Sequence, residues 1–186
     1  ENPFYKIAKH RFIINEPDDY ATVFDDAYAE IINNQNNQNG DGKCQNQDQA
    51  QPPLPWRDFL KIREQFMGGV KNSGHDGSAG ILIYYRWMLL NHLKETGLID
   101  QYDRFIITRS DFVWVLPHPS VVEVLTADHV WIPDEEWYGG YTDRHAVLTR
   151  DTVEPYLNIF NNMVLRSHTY YTKMKAYNNW NLERLI

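Results

Sequence analysis

The chain has 186 residues, enough for one domain with a sizeable buried core. Its formal net charge of -7 and pI near 5.4 argue against the basic face or stripe that nucleic-acid binders carry, so no nucleic-acid partner is expected. Cys44 is the only cysteine, which rules out an intrachain disulfide and a thiolate metal cluster but leaves the compartment open.

In chain order, "RFIIN" (11–15) reads as a short strand ended by Glu16-Pro17. Tyr20, Val23, Phe24, Ala27, Tyr28, Ile31 and Ile32 then repeat at the spacing of an amphipathic helix, with Asp18 or Asp19 as its N-cap. Residues 33–55, "NNQNNQNGDGKCQNQDQAQPPLP", offer almost nothing to bury, so an exposed, flexible insertion is expected there. Too little chain precedes it to fold alone, and both flanks are assigned to one domain spanning 1–186. "WRDFLKIREQF" resumes at helical spacing.

The glycine-rich "MGGVKNSGHDGSAG" contains Lys71 but not the G-x-x-x-x-G-K-[ST] pattern of a phosphate loop. A wide-faced helix over 80–96 follows, with Gly97 at its C-terminal end. Its apolar run "GILIYYRWMLL" is broken by Arg86 and falls short of the ~20 residues that span a bilayer, so no membrane segment is expected. The strand "RFIIT" comes next, and helix followed by strand is the order of an α/β layered fold. "FVWVL" reads as a continuation of that strand beyond the polar "TRSD". A turn or helix at 120–125, strands at 129–132 and in "HAVLT", one helix over "DTVEPYLNIFNNMVLRSH" (151–168) capped by Asp151, and a last helix in "NNWNLERLI" complete the pattern. Glu1 and the uncapped ending suggest trimmed termini.

Two polar clusters stand out. Asp111, at the end of a buried strand, lies where open α/β sheets bind ligands, and its carboxylate suits a hard cation such as Mg²⁺ or Mn²⁺. The bland alternative is a turn residue at a strand end. The second cluster, "WIPDEEWYGGYTDRHAV", surrounds Gly139-Gly140 with Asp134, Glu135, Glu136, Asp143 and Arg144. Glycines there permit close backbone approach to a ligand, and an adjacent carboxylate and guanidinium can hold sugar hydroxyls and phosphate. A solvated acidic turn is the plainer reading. The seven histidines form no H-x-x-x-H pair, which argues against a zinc hydrolase, and no G-x-S-x-G is present.

The order of a long helix, then Arg109-Ser110-Asp111 at a strand end, Trp131-Ile132-Pro133, and Gly139-Gly140-Tyr141-Thr142-Asp143-Arg144-His145-Ala146 resembles a group of GT-A-like glycosyltransferases of algae, their large viruses, plants and bacteria. In that group R-[ST]-D stands where other GT-A enzymes have D-x-D. The likeness covers roughly 80–160. It implies an α/β three-layer sandwich with a central mixed, mostly parallel sheet. It further implies a nucleotide-sugar donor, a glycan or glycoprotein acceptor, and Mn²⁺ or Mg²⁺ as cofactor.

By the same resemblance Asp111 lies near the metal and diphosphate, with Arg109 and Arg144 on the donor phosphates. Trp137, Tyr138, Gly139, Gly140 and Tyr141 face the substrate. Asp143 is the first candidate for a carboxylate base on the acceptor hydroxyl, with Glu135 and Glu136 behind it. The chain departs from the pattern in two respects: the β-α-β half that holds the nucleotide base is absent or reduced before Arg11, and a single aspartate replaces the pair. Two other classes fit the same residues. One is a noncatalytic carbohydrate-binding or interaction domain using Trp131, Trp137, Tyr138 and Tyr141 as a stacking platform. The other is a metal-dependent phosphoesterase using Asp111, Asp134 and Asp143.

Overall fold

The computed structural model describes residues 6–39, 61–62, 65–66, 79–122, 129–134, 140–165 and 172. Helix α1 spans Tyr20–Asn39 and begins where expected: Asp19 Oδ1 accepts from the Ala21 amide at 2.9 Å, which satisfies one of the free N–H groups of the first turn. It runs on to Asn39, so its backbone takes in the start of the stretch expected to leave the helix; residues 40–60 lie outside the described residues. Upstream, residues 11–15 form no strand. The expected helix in "WRDFLKIREQF" is replaced, where described, by two short antiparallel strands, β1 (Lys61–Ile62) and β2 (Gln65–Phe66).

Helix α2 spans Ala79–Glu95. Gly97 ends it at φ 65°, ψ 19°, the left-handed conformation that costs glycine nothing, and its amide bonds to the Lys94 carbonyl at 3.1 Å. A one-turn helix α3 (Leu98–Gln101) leads into β3 (Arg104–Thr108). Strand β4 (His145–Thr149) pairs antiparallel with β3, in a register from Arg104↔Thr149 to Thr108↔His145. Trp131 bridges the other side of β4, exchanging hydrogen bonds with Val147 at 3.0 and 2.8 Å. A mixed sheet admits an antiparallel pair, so β3 and β4 fit the expected sandwich without establishing it.

The single helix expected over 151–168 is divided at Asn158 into α4 (Arg150–Leu157) and α5 (Ile159–Leu165), and residues 166–168 lie outside the described residues. The cap of α4 is Thr149, not Asp151: its hydroxyl accepts from the Thr152 amide at 3.2 Å, and the Thr152 hydroxyl accepts from the Thr149 amide at 2.8 Å. Asp151 lies already inside the first turn.

Two apolar layers hold these elements together. Phe24 of α1 stacks on Phe160 of α5 at 5.2 Å, and Trp87 of α2 packs against the same ring at 5.3 Å. Next to them Leu90, Leu93, Leu98, Phe105, Ala146, Leu148, Val153 and Leu157 form a buried cluster between the helices and one face of the β3–β4 pair. Among the described residues no helix is long and apolar enough to cross a membrane.

Candidate functional site

The strand β3 ends at Thr108, and the backbone then does two things. The Arg109 amide extends the ladder by one bond to the Arg144 carbonyl (2.9 Å), and the Phe112 amide closes a turn onto the Arg109 carbonyl (3.2 Å). "TRSD" is therefore a turn tied to the start of β4, and residues 112–116 do not continue the strand. This geometry lays the Arg109 side chain between Asp111 and Asp143.

Arg109 grips Asp111 with two parallel bonds, Nε to Oδ1 at 2.9 Å and Nη2 to Oδ2 at 2.6 Å. Its remaining terminal nitrogen, Nη1, stands 3.7 Å from Asp143 Oδ2. The two carboxylates differ in setting: the Asp111 side chain is 62% exposed and that of Asp143 only 5%. The Arg109 hydrogen bonds, above all, hold the Asp111 carboxyl below the usual carboxylate range, and the same contact raises Arg109. Asp143 Oδ2 is buried and accepts no hydrogen bond among the described residues, so its lone pairs are committed to nothing stronger than the charge of Arg109.

Behind Asp143 lies a residue that first reads as a mere interruption of the α2 apolar run. Arg86 is buried, and its Nη2 donates to the Asp143 carbonyl (3.2 Å) and to the Tyr156 hydroxyl (3.0 Å). Its guanidinium lies over the Tyr156 ring at 4.5 Å, a cation–π contact strengthened by burial. Burial raises the Tyr156 hydroxyl pKa, with Arg86 opposing and Asp143 adding to the shift. The backbone of Asp143 is thus fixed from within the core while its carboxylate meets Arg109.

Tyr156 is also a wall of a cleft of about 480 Å³, formed with Val130, Ile132, Tyr141, Thr152 and Pro155. Tyr141 is 56% exposed there. The structure therefore brings Arg109, Asp111 and Asp143 together, joins Arg144 to them through its backbone, and puts Tyr141 on the adjoining cleft. Gly140 is half-buried beside Tyr141, whereas Trp137, Tyr138, Gly139, Glu135 and Glu136 lie outside the described residues. Asp134 is exposed, and among the described residues no group of three His, Cys, Asp or Glu side chains is placed to hold a metal.

A second polar contact lies at the start of β4. His145 is 3% exposed, and its Nε2 faces His118 Nε2 at 3.1 Å. Phe112 stacks on the His145 ring at 5.5 Å, and Trp114 meets His145 and His118 edge-on at 4.6 and 4.9 Å. Burial, with the charge of His118 second, lowers His145 to about 4. Neither this pair nor Arg86 shows a spacing signal in the sequence. The clue to Arg86 is a charge inside the apolar run of a helix.

Comparison with models of protein families, with curated proteins and with solved structures gives no match.

Proposed function

We propose that the chain is a glycosyltransferase that moves a sugar from a nucleotide-sugar donor to a glycan or glycoprotein acceptor, assisted by Mn²⁺ or Mg²⁺. The observation that supports this reading most is that the two short motifs behind the resemblance, around Asp111 and Asp143, meet on one guanidinium. The two bonds to Asp111 use Nε and one Nη2 hydrogen, and the Nη1 hydrogens and the second Nη2 hydrogen lie outside that contact, so Arg109 can take up leaving-group charge from a departing nucleoside diphosphate while it holds Asp111.

A carboxylate has about four lone-pair positions, and Arg109 occupies two of those on Asp111. The rest suit a hard cation of the kind held by one or two carboxylates, substrate phosphates and water. When bound, that cation would neutralise phosphate charge beside Asp111. Asp143 is the base on the acceptor hydroxyl in this reading; its Oδ2 is buried against Arg109, so the acceptor reaches it only once that contact opens. The Tyr141 and Tyr156 cleft offers the sugar ring an aromatic, largely apolar wall.

The test is a thermal shift. Mn²⁺ with a nucleoside diphosphate is expected to raise Tm in the wild type and not in Asp111→Ala, and a nucleotide-sugar screen should then show Mn²⁺-dependent transfer or hydrolysis. The absence of a shift with every nucleoside diphosphate would overturn the reading. The cleft at Tyr141 also favours a second function, noncatalytic glycan binding, which predicts affinity indifferent to metal and diphosphate.

A further inference from the structure

We propose that His118 and His145 form a site for a borderline transition-metal dication such as Zn²⁺, held by their two Nε2 atoms and completed by water or a small solvent-borne ligand. This site is separate from the carboxylate site at Asp111 and stands whether or not the chain transfers sugars.

The tautomers come first. His118 Nδ1 lies 2.6 Å from the Pro119 carbonyl, which can only accept, so Nδ1 carries the hydrogen and the lone pair of the neutral ring is on Nε2. A backbone carbonyl on the far nitrogen is the usual orienting partner of a metal-bound histidine. That nitrogen lies 3.1 Å from His145 Nε2. Two nitrogens at this separation subtend about 100° at a metal bound at ~2.0–2.1 Å to each, near the tetrahedral angle that Zn²⁺ adopts.

Without a metal, His145 Nε2 must hold the hydrogen shared with His118, and its buried Nδ1 is then an acceptor with no partner. With a metal, the same hydrogen moves to Nδ1, which is again without a partner. Binding therefore exchanges one N–H···N bond for two coordinate bonds and turns the buried His145 Nδ1 from an unpartnered acceptor into an unpartnered donor.

The rings are already ordered. Trp114 holds both edge-on, and Phe112 lies on the His145 face, so little rotamer freedom remains to be lost on binding. His118 is only half-buried, which leaves a route in. Among the described residues no third donor joins the pair, so solvent fills the remaining positions and the affinity is that of a two-imidazole site. Imidazole selects Zn²⁺, Co²⁺ or Ni²⁺ over Mg²⁺.

Zn²⁺ titrated into the full chain at neutral pH should bind with one-to-one stoichiometry and raise Tm, and Co²⁺ should develop the visible absorption of low-symmetry nitrogen ligation. His118→Ala is expected to weaken binding by about tenfold or more, the size that already follows loss of an orienting partner. His118→Gln, which keeps the side-chain bulk, should lose it equally. His129→Ala, at a ring stacked on Trp131 outside the pair, and Asp111→Ala should both bind Zn²⁺ as the wild type does. Undiminished binding in both His118 variants, no saturable Zn²⁺ binding by the wild type, or loss of binding in Asp111→Ala would each overturn the proposal. A failed nucleoside-diphosphate shift with intact Zn²⁺ binding would remove the transferase reading alone.

Discussion

Strand β4, "HAVLT", is buried at all five positions, while residues 112–116, "FVWVL", leave Val115 at 90% and Leu116 at 74% exposure. On hydrophobicity the second run should be the inner one. The difference lies in what each run has on its edges and faces. β4 is hydrogen-bonded to β3 on one side and to Trp131 on the other. One of its faces meets the helical cluster through Ala146 and Leu148, and on the other Phe112, Trp114 and His118 pack on His145. Residues 112–116 leave the sheet at the Arg109 turn, so only alternate side chains, Phe112 and Trp114, find a surface to cover. Burial here follows from ladder position, and apolar composition alone does not secure it.

The contrast is broken most directly by truncation. Leu148→Ala, at 1% exposure, should cost about 2–5 kcal/mol in urea unfolding, whereas Val115→Ala should change stability by less than about 0.5 kcal/mol. Equal losses would mean that residues 112–116 are buried in solution.

Acid sharpens the comparison next. Because the folded-state pKa of His145 lies below its ordinary 6.5, at about 4, the unfolded chain binds more protons between those values. The contribution is complete above about pH 6.5 and is lost as pH falls towards 4, up to about 3 kcal/mol in chelator-treated protein. Asp111, lowered from 3.8, acts only below that window. Denaturation midpoints at pH 7 and pH 4.5 measure the loss, and a flat profile would mean that His145 is solvated.

The smallest effect is expected at the end of β4. Thr149→Ala removes the α4 cap and should cost about 1 kcal/mol, with Thr149→Ser restoring most of it in the same unfolding assay.

Much of the helical frame was readable in advance, since the spacing from Tyr20 and the Gly97 stop are local signals. So were β3 and β4, whose β-branched runs sit between turns. Other readings failed for physical reasons. "WRDFLKIREQF" has helical spacing, yet Lys61–Ile62 and Gln65–Phe66 pair with each other as strands, so the local pairing and not the helical period sets the backbone there. Asp151 and Thr149 are both good caps, and the choice depended on where β4 stopped. Asp111 and Asp143 stand in separate clusters of the sequence, and nothing local indicates that Arg109 joins them. The pairing of His118 with His145 is equally long-range, and a search for closely spaced ligand pairs passes over it.

The antiparallel register of β3 with β4 also constrains the order of assembly. Helix α2, the Gly97 stop and β3 are contiguous in the chain and can approach one another through short loops. Phe105 and Ile107, however, reach their Leu148 and Ala146 partners only across the long stretch between the strands. Closing that loop is the entropically costly step, and the same closure sets Asp143 against Arg109. The Arg109–Asp143 contact therefore forms together with the sheet, in one event, whereas the Arg109–Asp111 pair is local to its turn.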